Sequence, residues 1–474
     1  MSESIPQNLT AVVEVSVLLA IVAGSTVLVA AGCLSEGGCI WMSVILLGTI
    51  VWLAWYRFDG GRHPCFLFMV MLFVFQGGRL VGYVVGAKQD PMYIDVQTPL
   101  PISVEPRFAE ITLLIIVLSA ILIYAPCRLS FKPVFLHQNH SNRWLPALYS
   151  LVWISLPFSI YKNLMYLLYI RTHGGYLVVY TDNADVLQSA GVLARTLSMV
   201  NVTAILVLFV AETRRKHVIG ILTLFGALSF LDLLIGFRGK FFSEILSLWF
   251  LMNLKTGRRF KLPILVASAA LISFSAVAVG FFREDNAFEM VSPLGFLVMQ
   301  GVSMNVTEAA VKFHSLFSQY GWQYLWGGFV NGLTPTAAAG IHLWSGDLSV
   351  FLNSNASNLG FGTASSYLAE LYLFGGIGAV AVGSLMIGYC LSFMHRLSSR
   401  RIGLLLLAFT LPPIIYLPRL EMFNPVAVLL KSCFGLSVVV AFVLIFDFFA
   451  RILKLLSGTA DGEINWRFQS AREK

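Results

Sequence analysis

Long uninterrupted apolar runs, separated by short polar and basic segments, dominate the pattern of this chain. Most runs approach or exceed the roughly 20 residues a helix needs to cross a bilayer. Their apolarity is continuous, without the alternation of barrel strands, so self-satisfied helices are the expected form. The pattern predicts about twelve spans, near 11–32, 39–56, 65–86, 109–126, 145–170, 191–212, 217–235, 241–254, 262–282, 364–392, 402–418 and 426–450. The fold class is therefore all-α, a polytopic membrane protein. One segment departs from the rhythm: 283–363, about 80 residues rich in Gly, Asn, Ser and Trp. A connection that long in a compact protein is commonly either functional or disordered. Within it, the apolar spacing from Phe296 to Tyr320 predicts helices lying in the membrane interface. The chain thus divides into spans one to nine (1–282), a long outer loop (283–363), spans ten to twelve (364–450) and a tail (451–474).

Composition agrees: of 474 residues, 57% are hydrophobic and 12% charged. Met1 to Gln7 lacks the basic start of a cleaved signal, so the first run is expected to stay as a membrane helix. Of six cysteines, Cys33 and Cys39 flank a short loop and read more simply as helix-end thiols than as a disulfide.

Charge sets the orientation. Alternate loops carry Arg57 and Arg62; Arg128, Lys132 and Arg143; Arg214 to Lys216; Lys255 to Lys261; Arg396 to Arg401; and the tail. These hold about 20 of the 32 basic residues, so the positive-inside rule makes them, and both termini, cytoplasmic. The net charge of +8 follows from this topology and gives no reason to invoke nucleic acid.

The exceptions carry the chemistry. Arg79, Lys162, Arg195 and Lys431 lie within predicted spans, in the outer half, where each costs about 2.5–3.5 kcal/mol on insertion scales and needs a partner or a wet cavity. Arg238 and Lys240 occupy the outer turn Gly236-Phe-Arg-Gly-Lys240, Arg283 opens the long loop, and Arg419 lies in Pro418-Arg-Leu-Glu421. Lys162 and Arg195 read either as snorkelling to the outer interface or as facing a site, and Lys240 equally as a pair with Glu244 one turn on. Arg238, Arg283 and Arg419, at three helix ends, instead suggest a site for an anionic lipid-linked substrate, because guanidinium forks grip phosphate oxygens. Candidate proton acceptors on the outer side are Glu284, Asp285, Glu308, His314, His342, Asp347, Glu370 and Glu421, of which Glu421 serves equally to neutralise Arg419. Trp322, Trp326 and Trp344 are candidate sugar-stacking rings or interface anchors. The chain has no Asp-x-Asp pair, no His/Cys run with metal spacing and no Walker-type loop, so no metal or other cofactor is expected.

Over Phe230 to Leu430, the Phe237-Arg-Gly-Lys-Phe-Phe242 turn, the late long loop, the segment Gly360 to Gly378 and Pro418-Arg-Leu-Glu-Met-Phe423 together resemble the bacterial O-antigen or oligosaccharide repeat-unit polymerases of the Wzy type. The resemblance implies an inner-membrane enzyme working at the periplasmic face. It would transfer a growing glycan from undecaprenyl diphosphate to the next lipid-linked repeat unit without nucleotide sugar or metal, with a chain-length regulator and a repeat-unit flippase as partners. It maps the family's Arg-Gly arginine to Arg238, and its later outer glutamate and arginine to Glu370 and Arg419. On this reading Arg238, Arg283, Arg419, Lys240, Arg79 and Lys431 hold diphosphate, Glu370 or His314 takes the acceptor proton beside Arg238, and Trp322, Trp326, Trp344, His342 and Glu421 contact glycan. An O-antigen ligase-like transferase and a lipid-linked oligosaccharide flippase are the alternatives. The flippase should show repeated halves and cations at all depths, and the sequence shows neither.

Overall fold

A computed structural model describes residues 7–31, 35–86, 91, 93–95, 98–99, 101–132, 144–173, 178, 183–259, 261, 293–333, 340–358 and 362–456. Helices α1 (Gln7–Ala30), α2 (Glu36–Arg57) and α3 (Pro64–Val84) come first. A two-residue antiparallel ladder follows, β1 (Tyr93–Ile94) with β2 (Ile102–Ser103), which the apolar pattern did not announce. Next come α4 (Pro106–Leu129), α5 (Leu145–Thr172), a short α6 (Asn183–Ser189), α7 (Gly191–Ala211), α8 (Arg215–Ile235) and α9 (Arg238–Thr256). The long connection contains α10 (Pro293–Gln300), α11 (Val302–Lys312), α12 (His314–Phe317), α13 (Gly321–Leu333) and α14 (Trp344–Asn358). Helices α15 (Tyr367–Leu397), α16 (Arg401–Ile415) and α17 (Asn424–Leu456) complete the bundle.

Among the described residues, ten helices are long and apolar enough to cross a membrane, and they coincide with ten of the predicted spans. The expected eighth span is the helix α9, whose charged first turn and Asn253-Leu-Lys255 end dilute its apolarity. The expected ninth, 262–282, lies outside the described residues, as do Cys33, Arg143, Arg283, Glu284 and Asp285. Many large apolar side chains face outward, Trp153 at 63% and Leu444 at 57% exposure among them, which suits helices solvated by lipid.

Local chemistry explains the helix ends. The His63 imidazole accepts from the Cys65 N–H (3.1 Å), with Pro64 at the first helical position of α3. Helix α8 stops at Gly236, whose φ of 116° lets the Phe237 N–H return to the Asp232 carbonyl (3.0 Å). That reversal makes the Arg238-Gly239 corner.

Between spans, polar side chains join helices that hydrophobicity alone would not align in lipid. Ser119 of α4 bonds both Tyr367 (2.7 Å) and Ser384 (2.6 Å) of α15. Asn201 of α7 donates to the Val152 carbonyl (2.9 Å) and accepts from Ser159 (3.0 Å), both on α5. A second core lies under the long connection, where Trp344, Tyr324, Val306 and Ala369 are fully enclosed.

Candidate active site

The site is built at one end of the bundle, where the C-terminal ends of α3 and α16 meet the N-terminal ends of α9 and α15, capped by α10 to α14. Glu370, one turn into α15, is fully buried, and both carboxylate oxygens accept hydrogen bonds: Oε1 from Ser365 (2.7 Å) and Oε2 from the Met422 N–H (2.8 Å). A glycine break at Gly375 and Gly376 separates this Glu370-bearing segment from the long shaft of α15. Glu421, also buried, lies within electrostatic reach of Glu370. Burial pushes the Glu421 carboxyl above the ordinary carboxylate range.

Beside the two carboxyls runs a polar network that sequence reasoning missed. Gln76 of α3 donates to the Pro418 carbonyl (2.9 Å) and to Ser366 (3.1 Å), and it accepts from Thr307 of α11 (3.2 Å). One buried amide thus ties α3, the long connection and the 3-10 turn Leu417–Arg419 together. The available signal was Gln76-Gly-Gly-Arg79, a polar residue beside a glycine pair within an apolar run.

The cations converge in part. Arg419 donates to Gln300 (3.0 Å) at the end of α10 and lies over the Phe75 ring, 5.7 Å from its centroid. Its hydrogen bond therefore goes to an amide rather than to Glu421. Arg79 pairs with Asp95 (2.6 Å), while its buried Nε and Nη1 have no partner among the described residues. Arg79 packs directly on Gly301, next to the Gln300 that holds Arg419. Arg238 opens α9, and its neighbour Gly239 lies so close to the Tyr416 ring that any Cβ would collide with it. The Arg-Gly turn and the Arg419 turn, far apart in sequence, are thereby brought together.

The remaining candidates fall around this centre unevenly. Lys240 bonds Asp232 at 2.7 Å and reaches Glu244 only at 3.9 Å, so the i,i+4 pair is the weaker of its two contacts. Lys162 lies within electrostatic reach of Lys240, Asp232 and Glu244, giving it acidic partners inside the bundle. Lys431, two turns into α17, is half-buried and forms no ion pair with described residues.

His314 is half-buried, edge-on to the Tyr372 ring. His342 is held more firmly: its Nδ1 is 2.8 Å from Asp347, and its ring stacks on Tyr320. Asp347 also accepts from the Tyr324 hydroxyl (2.9 Å). Trp322 and Trp326 are 61% and 53% exposed and available as stacking faces. Trp344 is not: it is fully enclosed, with Phe317 and Tyr324 against its ring, so it supports the fold of the loop instead of meeting a sugar. Consecutive glycines of α13 join the two halves, Gly327 pressing on the His342 backbone and Gly328 on Glu421.

The fold also gathers a group that no sequence spacing announced. His63, Cys65 and Cys127 have ligand atoms within 4.8 Å of one another, at the opposite end of α3. His63 is engaged as the cap of α3, and the Cys127 thiol donates to the Gly388 carbonyl (3.3 Å). This trio is separate from the Glu370 site.

Chemically, this centre offers two buried carboxyls, the guanidinium groups of Arg79 and Arg419, an oriented histidine and exposed aromatic faces. No curated protein and no solved structure matches the chain. A protein-family model, O-antigen polysaccharide polymerase Wzy, matches residues 11–454. Since that match spans almost every helix described above and includes all the groups gathered at this centre, the chain belongs to the Wzy family of O-antigen polysaccharide polymerases.

Proposed function

We propose that the chain extends O-antigen at the periplasmic face of the inner membrane, using undecaprenyl diphosphate-linked oligosaccharides as both donor and acceptor. An acceptor hydroxyl oxygen attacks the anomeric carbon of the donor, the bond to the carrier diphosphate breaks, and the hydroxyl proton passes to a base on the enzyme. Negative charge grows on the departing diphosphate. Cations already in place stabilise it, and removing one such donor in comparable oxyanion sites costs about 2.7–4 kcal/mol. On this reading Arg238, Arg283 and Arg419 hold diphosphate, with Arg79 supplying its two unspent donors from within the bundle and Lys240 and Lys431 adding positive potential.

Glu370 and His314 are the proposed proton acceptors. His342 joins them, because a carboxylate on Nδ1 fixes the ring and leaves Nε2 for the proton. Trp322 and Trp326 are proposed to stack on sugar rings. The step needs no metal and no nucleotide, and the proposed partners are a chain-length regulator and a repeat-unit flippase.

The observation that carries this reading is the meeting of the Arg238-Gly239 corner, Arg419 and Glu370 at the bundle end remote from the basic loops. Arg419→Ala is the test. At normal protein level it should collapse the lipopolysaccharide ladder toward a single repeat unit, and an undiminished ladder refutes the role of the guanidinium. A deletion strain separates the ligase alternative, since loss of a ligase leaves no repeat unit on the core.

A further inference from the structure

The end of the bundle opposite Glu370 contains a cavity of about 1360 Å³ between the ends of α1, α2, α4 and α9. Five cations line it: Arg57 from α2, Arg128 from α4, and Arg258, Arg259 and Lys261 after α9, with Asp59 as the acid in the same wall. Basic residues at this end are expected from topology alone, but topology asks only that they lie in the loops. Here they converge from three separate helices on one concave space.

Their pairing leaves positive charge in excess. Glu14 of α1 lies 2.8 Å from Arg57 and 3.8 Å from Arg128, so one carboxylate holds guanidinium groups from two helices side by side. Tyr124 also donates to Glu14, fixing that carboxylate in place. Asp59 likewise serves two cations, Arg62 at 2.7 Å and Arg259 at 2.6 Å. Arg258 and Lys261 have no acidic partner among the described residues, and both are exposed. Two carboxylates thus organise more cations than they neutralise. Crowding like charges in one cavity is unfavourable unless an anion enters it.

Shape and lining narrow the anion. Guanidinium groups held in pairs match the oxygens of a phosphate. The space exceeds the roughly 300–1,000 Å³ of typical small-molecule pockets, so inorganic phosphate would fill only a corner. Trp55, Trp249 and Phe131 supply an aromatic wall beside the charges. Such rings sit at the headgroup level of a bilayer, and basic pockets between membrane helices bind anionic lipid headgroups.

We propose that this cavity binds the phosphodiester headgroup of an anionic glycerophospholipid, clamped by Arg57 and Arg128 on one side and Arg258 and Lys261 on the other. The bound lipid ties α1 to α2, α4 and α9. Helix α1 benefits most, because eight of its large apolar side chains, Val17 and Val27 among them, are exposed in the bundle.

The test uses the full-length protein purified in a zwitterionic detergent and titrated with phosphatidylglycerol, phosphatidylcholine or inorganic phosphate at equal phosphorus. Melting temperature and lipid adducts retained in native mass spectrometry are read together. Phosphatidylglycerol should raise the melting temperature by several degrees and leave one retained adduct, while the other two do neither. Arg258→Gln with Lys261→Gln alters only exposed side chains and should weaken the effect at least tenfold. Arg396→Gln with Arg400→Gln, an equal loss of charge in another basic loop, should leave it intact. An unchanged response in the first pair, or an equal loss in the second, overturns the site. Equal stabilisation by inorganic phosphate makes it a free-anion site and refutes the lipid assignment, as does equal stabilisation by phosphatidylcholine.

Discussion

Gly239→Ala tests whether the Arg-Gly turn and the Arg419 turn work as one unit. The added methyl would overlap the Tyr416 ring, whose Cε2 lies only 2.8 Å from the new Cβ, so the ring must move. Tyr416 stands edge-on to Phe75 at 5.2 Å and immediately precedes the Leu417–Arg419 turn, so its displacement carries Arg419 with it. Overpacking of this kind costs about 1–3 kcal/mol. Weakening the aromatic pair adds up to about 0.5–1.5 kcal/mol. The effect on chemistry is larger, because a misplacement of roughly 1 Å at a positioning group can cost about 10²-fold in rate. Tyr416→Leu in the same chain makes room for the methyl, so a double-mutant cycle should be non-additive, with a coupling of about 0.5–3 kcal/mol in the detergent melting transition. The lipopolysaccharide ladder should shorten sharply in Gly239→Ala and recover partly in the pair. A full-length ladder and unaltered melting in Gly239→Ala, or strict additivity of the two changes, would refute the close approach on which the site is built.

Two further outcomes follow from the same region. Gln76→Leu takes the donor from the buried Pro418 carbonyl, while the Thr307 and Ser366 hydroxyls keep their bond to each other, so it should destabilise by about 1–3 kcal/mol, read as a lower melting temperature in detergent. Glu421 has a folded-state pKa raised by burial, so its favourable contribution is complete below the ordinary carboxyl range and is lost as pH rises through the raised value. Melting temperature should therefore fall with rising pH across that window, and Glu421→Gln should flatten the profile. An identical pH profile in the two proteins excludes Glu421 as the titrating group.

The bundle was legible because lipid imposes a simple rule: an apolar run long enough to cross forms a helix, and ten of the predicted spans have such a helix. Helix α9 is the marginal case, an apolar run expected to span whose charged ends leave it less apolar than its neighbours. The Arg238-Gly239 and Pro418-Arg419 pairs stood out because cations in loops expected to face outward break the expected charge asymmetry. What escaped the sequence were contacts that only folding creates. Gln76, Thr307, Ser365 and Ser366 are chemically ordinary until α3, α11 and α15 converge and bury them together. Trp344 misled because a tryptophan in a polar loop reads the same whether it faces solvent or, as here, seals a small core. The Asp347 partner of His342 is only five residues away, yet the acid in the first turn of α14 gave no hint that the chain doubles back to meet it.

The two adjacent glycines of α13 act as a spacer of zero thickness between the histidine side of the centre and the acid side. With no side chain at either position, the gap between those walls is set by backbone alone and cannot be tuned one methyl at a time. Laboratory selections for longer or shorter glycan chains should therefore accumulate changes on the exposed rim of that helix, around Trp322 and Trp326, while leaving Gly327 and Gly328 untouched.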